Sequence, residues 1–140
     1  MAKIIVVVVV IVIMLMTCIA TAAGPGKEKA AVVAAQKWLA LIDAGNYADS
    51  WKEAAGYFRA AVNQEKWEQS LQAVRTPLGE IISRKVKSKS YQTSVPGAPD
   101  GEYVIIQFQT SFQNKKSAIE TVTPMLDKDG QWRVSGYFIK

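Results

Sequence analysis

Apolar and polar positions along the chain fall into three regimes. Residues 4–16 are an unbroken run of apolar side chains; from about residue 27 to 74 the apolar positions recur at three- and four-residue steps; from residue 80 onward they alternate with a period of two. The middle regime predicts helices and the last a sheet. In the middle regime Val32, Ala35, Leu39 and Ile42 share one stripe of a helix over 27–44, with Lys29, Gln36 and Asp43 off it. Gly45 supplies the left-handed position that ends a helix with little strain, and Asn46 can cap the next one. A second helix over 47–55 puts Tyr47 and Trp51 on the same face, and Gly56 is expected to end it. Residues 57–62 read either as a turn or as a continuation. Asn63 can cap a third helix over 64–74 with Trp67, Leu71 and Val74 as its buried stripe, and Pro77 stops it.

The period-two regime predicts four strands, over 80–94, 102–113, 117–126 and 131–139, separated by turn chemistry at 96–101, 114–116 and Asp129-Gly130. Val104, Ile106, Phe108, Thr110 and Phe112 share one side of the second strand, against Gln107, Gln109 and Ser111 on the other. Trp132, Val134 and Phe138 are expected on one face of the last strand. Lys85, Lys87 and Lys89 are expected to project from one side of the first, where lysines commonly guard an edge strand against pairing. Three helices followed by a four-stranded antiparallel meander is an α+β arrangement, with the N-terminal helices packed on one face of a curved sheet.

Composition changes the picture mainly at the N-terminus. The 140-residue chain has room for one domain. Lys3, the apolar run and the small-residue site Ala20-Thr21-Ala22 match the three regions of a secretory signal peptide, with cleavage expected after Ala22 or Ala23. That divides the chain into a signal over 1–23, a short linker over 24–29 built on Gly24-Pro25-Gly26, and a single domain over 30–140. An uncleaved anchor is the alternative, because residues 4–23 carry no charge and are long enough to span a bilayer. Cys18, the only cysteine, lies in this segment. Leu15-Met16-Thr17-Cys18 is similar to a bacterial lipoprotein signal, except that Thr17 stands where a smaller residue is usual. A membrane is therefore an expected partner only if the signal is retained or Cys18 is lipidated. Downstream of the signal sixteen Lys and Arg face 12 Asp and Glu, about +4 net. No dense basic run interleaved with aromatics marks a nucleic-acid interface.

The stretch from Ala35 to Trp51, A-x-x-W-L-A-L-I-D-A-G-x-Y-x-x-S-W, together with the terminal W-R-V-S-G-Y-F-I, resembles a family of small secreted bacterial domains of unknown function, the one numbered four thousand and nineteen. Trp38, Asp43, Gly45, Tyr47, Trp51, Trp132 and Gly136 carry the resemblance most specifically. It implies export to the periplasm or beyond, and a cone similar in shape to nuclear transport factor 2. That cone hosts isomerases, dehydratases and binding modules alike, so it does not decide the activity.

Chemistry is sparse. The chain has no histidine, which removes the commonest general base and metal ligand. Neither a metal nor a cofactor is expected. Asp43 is the candidate base, with Tyr47 as hydrogen-bond donor, should the domain be a cone enzyme. Its expected role is structural, bonding within the 45–49 corner or to the second helix. Glu120 shares a strand face with Ala118 and Val122; it is expected to be solvated, or, if that face is concave, to pair with Arg84 or Arg133. Trp38, Tyr47, Trp51, Phe108 and Trp132 could line a ligand pocket, although aromatics at these spacings more often form core. The expected function is a non-catalytic binding module for a small ligand or an envelope protein.

Overall fold

The computed structural model describes residues 23–140; the apolar run, Cys18 and Ala22 lie outside the described residues. Four helices, α1 (Ala23–Asp43), α2 (Tyr47–Lys52), α3 (Gly56–Ala61) and α4 (Gln64–Arg75), precede a short 3₁₀ turn (Thr76–Leu78) and four strands, β1 (Ile81–Gln92), β2 (Tyr103–Phe112), β3 (Lys115–Leu126) and β4 (Trp132–Ile139). The strands pair antiparallel in sequence order β1-β2-β3-β4, so the fold is α+β with the helices packed on one face of an open meander. Among the described residues no helix is long and apolar enough to cross a membrane.

Helix boundaries follow local chemistry, with three departures from the expected pattern. Gly24-Pro25-Gly26 is the first turn of α1 and not a joint; proline is tolerated there because the first amides of a helix have no intrahelical partner. At the other end Gly45 takes φ +80°. Its N–H donates to the Ile42 carbonyl and that of Asn46 to Leu41, the paired bonds that satisfy the last carbonyls of a helix. Asn46 occupies the cap position of α2 without a side-chain bond, whereas the Asn63 side chain does accept from the Lys66 amide. Gly56 begins α3 and does not end α2. The backbone leaves the helical path after Lys52, and the Ala55 N–H donates to the Val134 carbonyl of β4 at 2.8 Å. The third departure is on α4: Trp67 and Leu71 are buried, but Val74 is 47% exposed and the neighbouring Arg75 is buried in its place.

The inner face of the sheet carries Val104, Ile106, Phe108, Thr110 and Phe112 from β2, all buried, as their alternation predicts. Register then puts Arg84 opposite Thr110, Val86 opposite Phe108, and Glu120 opposite Phe108 from the other side. Two register shifts in β1, between Ile81 and Ser83 and between Val86 and Ser88, break its period. Lys85 therefore pairs with outward-facing Gln109 while Lys89 pairs with inward-facing Ile106, so the three lysines do not share a side. A shift in the β3–β4 pairing, between Thr123 and Pro124, has the same effect on the last strand. Val134 and Tyr137 face inward, and Phe138 turns out to solvent at 61% exposure. Each bulge inserts one residue, and one residue reverses every side chain beyond it. The β2–β3 turn is tighter than expected, because Lys115 already pairs with Phe112.

Three aromatic contacts stitch α1, α3, α4 and β4 to one another. The Trp38 and Trp67 centroids lie 6.0 Å apart, Phe58 meets Trp67 edge-on at 4.9 Å, and Tyr137 meets Trp38 edge-on at 5.3 Å. Both buried indoles end on one residue. Trp38 Nε1 donates to the Ser50 carbonyl at 2.8 Å, Trp67 Nε1 donates to Ser50 Oγ at 2.9 Å, and Ser50 Oγ donates to the Tyr47 carbonyl. Ser50 is fully buried and thus ties α1, α2 and α4 together. Replacing it with alanine removes the acceptor of a buried N–H, so Ser50→Ala is expected to lower unfolding free energy by about 1–3 kcal/mol in a urea titration. An unchanged midpoint would show that Trp67 finds another partner.

Candidate functional site

Two places on the domain concentrate chemistry. The first is a buried charge network inside the sheet, built by residues 32 to 41 positions apart in sequence and by one strand further on. Asp43 closes α1 facing inward. Its carboxylate accepts two bonds from Arg84, at 2.7 and 2.9 Å, in the bidentate fork that suits a guanidinium, and a third from Arg75 Nη2 at 3.0 Å. Arg84 Nε donates to Glu120 Oε1 at 2.7 Å. Thr110 Oγ1 donates to the same oxygen at 2.6 Å, and the Tyr137 hydroxyl donates to Oε2. Glu120 is fully buried, which overturns its expected solvated state; of its two candidate partners Arg84 is the one in contact, while Arg133 binds Asp127 and Asp129 in the β3–β4 turn.

The network is neutral, two arginines against two carboxylates, and this is what makes its burial tolerable. Burial by itself depresses the Arg84 pKa, but its hydrogen bonds to Asp43 and Glu120 outweigh that and hold it above the ordinary arginine value. Burial, followed by the Glu120 charge, pushes the Tyr137 hydroxyl well above its ordinary 10.0, so it stays a donor. Arg75 lies over the Phe112 ring, its guanidinium carbon 4.8 Å from the ring centroid, and among the described residues its Nε and Nη1 have no hydrogen-bond partner. The ring face attracts the guanidinium charge as a cation–π contact but accepts no hydrogen bond from those two donors.

The second place is a groove of about 1100 Å³ between α1 and the β3–β4 hairpin. Val33, Trp38 and Trp132 line its apolar part; Lys29 and Lys37 stand on the α1 side and Asp49 and Glu53 on the α2 side. None of these four charged residues forms an ion pair within the described residues. Asp43 and Glu120 do not line it. The five aromatics expected in a pocket are therefore divided. Trp38 and Trp132 reach the groove, Phe108 is wholly buried in the core, and Tyr47 and Trp51 pack partly buried against that core, with Trp51 Nε1 donating to the Val62 carbonyl. Asp43 meets arginines from α4 and β1, not the 45–49 corner, and Tyr47 does not join it. Among the described residues no group of three acidic, cysteine or histidine side chains is placed to hold a metal ion.

Ser50, Arg75, Thr110 and Tyr137 were not among the expected site residues. Ser50 stands beside Trp51 in the helical corner, and Arg75 lies eight residues after Trp67, where a helical stripe could have found it. Tyr137 was hidden by the bulge, which reverses the alternation that assigns it outward.

Residues 34–137 match the profile of a protein family described as protein of unknown function, DUF4019. No curated protein and no solved structure matches the chain.

Two outcomes follow from the network. Glu120→Ala leaves Arg84 and two hydroxyls without their buried acceptor and is expected to cost about 3–5 kcal/mol of stability by chemical denaturation. The Tyr137 pKa is raised in the folded state, so its contribution to stability is complete below the unfolded value near 10 and is lost as pH rises beyond it. Unfolding free energy measured between about pH 9 and pH 11 should therefore fall more steeply for the native protein than for Tyr137→Phe, the difference approaching about 1.4 kcal/mol per pH unit.

Proposed function

The chain belongs to the DUF4019 family, and we propose that it is an exported protein of the bacterial envelope that acts as a non-catalytic binding module through the groove beside α1. The groove carries this reading because, among the described residues, it combines open apolar surface with charges not already engaged in ion pairs. Gly26 and Leu41 both line it, so it follows α1 for about 22 Å at 1.5 Å per residue. That length, with Val33 42% exposed on its floor and opposite charges on its two walls, suits a peptide segment of a protein partner better than a compact small molecule.

The carboxylates that a cone enzyme would use support the same reading. Asp43 is held by three guanidinium bonds and Glu120 by Arg84, Thr110 and Tyr137, which leaves neither free to move a proton to or from a substrate. Export rests on the signal pattern of residues 1–23, and retention at a membrane would rest on Cys18.

A displayed peptide library panned against the exported protein tests the groove. Selected peptides should lose at least about tenfold in affinity on Val33→Glu and on Trp132→Ala, about 1.4 kcal/mol, and should be indifferent to changes at Gln107 on the far side of the sheet. Peptides that bind all three variants equally would exclude the groove. Intact mass of the protein from its native host tests export: a chain beginning at Ala23 or Gly24 supports a free domain, and a lipidated chain beginning at Cys18 a membrane-anchored one.

A further inference from the structure

We propose that the outer face of the sheet, at the end where β1 starts and β4 finishes, docks on an anionic phospholipid surface. The pairing register settles which residues share this face: Ser83 and Lys85 from β1 lie opposite Ser111 and Gln109 of β2, Gln109 lies opposite Ile119 of β3, and Thr121 lies opposite Phe138 of β4. Among the described residues no helix covers them. The helices contact the inner face, where the apolar core is built.

Charge on this face has one sign. Lys85 and Lys116, 31 positions apart in sequence, line a single concavity of about 300 Å³ with Ser83, Gln109 and Ser111. Lys87 and Lys115 are exposed close by in the chain. No Asp or Glu faces outward on any of the four strands; Glu80, the acid nearest in sequence, precedes β1. The other acids of the sheet region lie elsewhere, Glu120 buried inside, Glu102 just before β2 and bonded to Lys27 and Tyr91, and Asp100, Asp127 and Asp129 in loops at the opposite end of β2 and β3. Lysine ammonium groups beside hydroxyl and amide donors complement the phosphate of a lipid headgroup.

Apolar side chains accompany the charge. Phe138 is 61% exposed, and it stands on the same face as half-buried Ile119. An aromatic ring on the same face as lysines can enter the interfacial layer while the ammonium groups stay at headgroup level. The bulge in β4 is what turns Phe138 outward, so the fold itself delivers the ring to the basic face. This contact requires neither a retained signal nor a lipid anchor, and it leaves the groove beside α1, across the sheet, open to a partner.

Co-sedimentation with vesicles tests the proposal, using exported protein that carries Cys18→Ser so that no lipid anchor contributes. Binding is expected to vesicles of equal parts phosphatidylglycerol and phosphatidylcholine and not to phosphatidylcholine alone. It should weaken strongly between about 0.1 M and 1 M salt, over which the screening length falls from about 10 Å to 3 Å. Lys85→Glu with Lys116→Glu should reduce it at least about tenfold. Both side chains are exposed, and an unchanged thermal melt will show that the variant is folded. Phe138→Ser should reduce binding further while keeping its salt dependence. Equal binding to neutral vesicles, or binding unaffected by the two charge reversals, would overturn the proposal.

Discussion

Asp43, Arg84 and Glu120 form the contact on which the domain depends, because they join the end of the first helix to two non-adjacent strands through one guanidinium. Arg84 reaches from the edge strand β1 across β2 to Glu120 on β3, and in the other direction to the last turn of α1. A misplaced register of even one residue would carry Arg84 or Glu120 to the outer face and leave the other charge buried alone. Apolar packing tolerates small adjustments, but such a contact does not, so it selects one pairing of strands and one position of α1. The two bulges of β1 are consistent with this demand. They bring Arg84 inward opposite Thr110 while Val86 and Tyr91 also keep inward positions opposite Phe108 and Val104.

The helical half is organised around a different kind of contact, the indole N–H groups that converge on Ser50. Here geometry is set by hydrogen bonds that large aromatic rings cannot forgo once buried. Tyr137 links the two systems, since its ring packs edge-on against Trp38 and its hydroxyl reaches Glu120. The interior is thereby filled with groups that satisfy one another, apart from two Arg75 donors that face no acceptor. What remains for interaction lies on the two surfaces the core does not use, the groove beside α1 and the bare outer face of the sheet.

These surfaces differ in their charge. The groove is bounded by both signs, Lys29 and Lys37 against Asp49 and Glu53, which favours a partner carrying both signs itself and therefore a specific protein segment. The outer face, at the end where β1 starts, carries lysines as its only charged strand residues, which favours a broad anionic surface.

Much of this was legible in the chain before any coordinates. The three- and four-residue steps from Val32 to Ile42 and the alternation from Val104 to Phe112 define α1 and β2 because those elements each bury a single face, and burial writes a period into sequence. Gly45 marks the end of α1 because few other residues tolerate φ near +80°. The family pattern likewise pointed to a DUF4019 domain, as the match over residues 34–137 shows. Tertiary structure alone decided the rest. Bulges in β1 and β4 reversed Lys89 and Phe138, and nothing in a local pattern announces a one-residue insertion whose cause is the pairing of distant strands. Glu120 looks like a solvated strand residue until Arg84, 36 positions away, is seen against it. Lys85 and Lys116 look like scattered solubilising charge until the folded sheet places them around one concavity. Period records which side of an element is buried, but the partner of a buried charge and the neighbours of an exposed one are set by contacts between segments far apart in the chain.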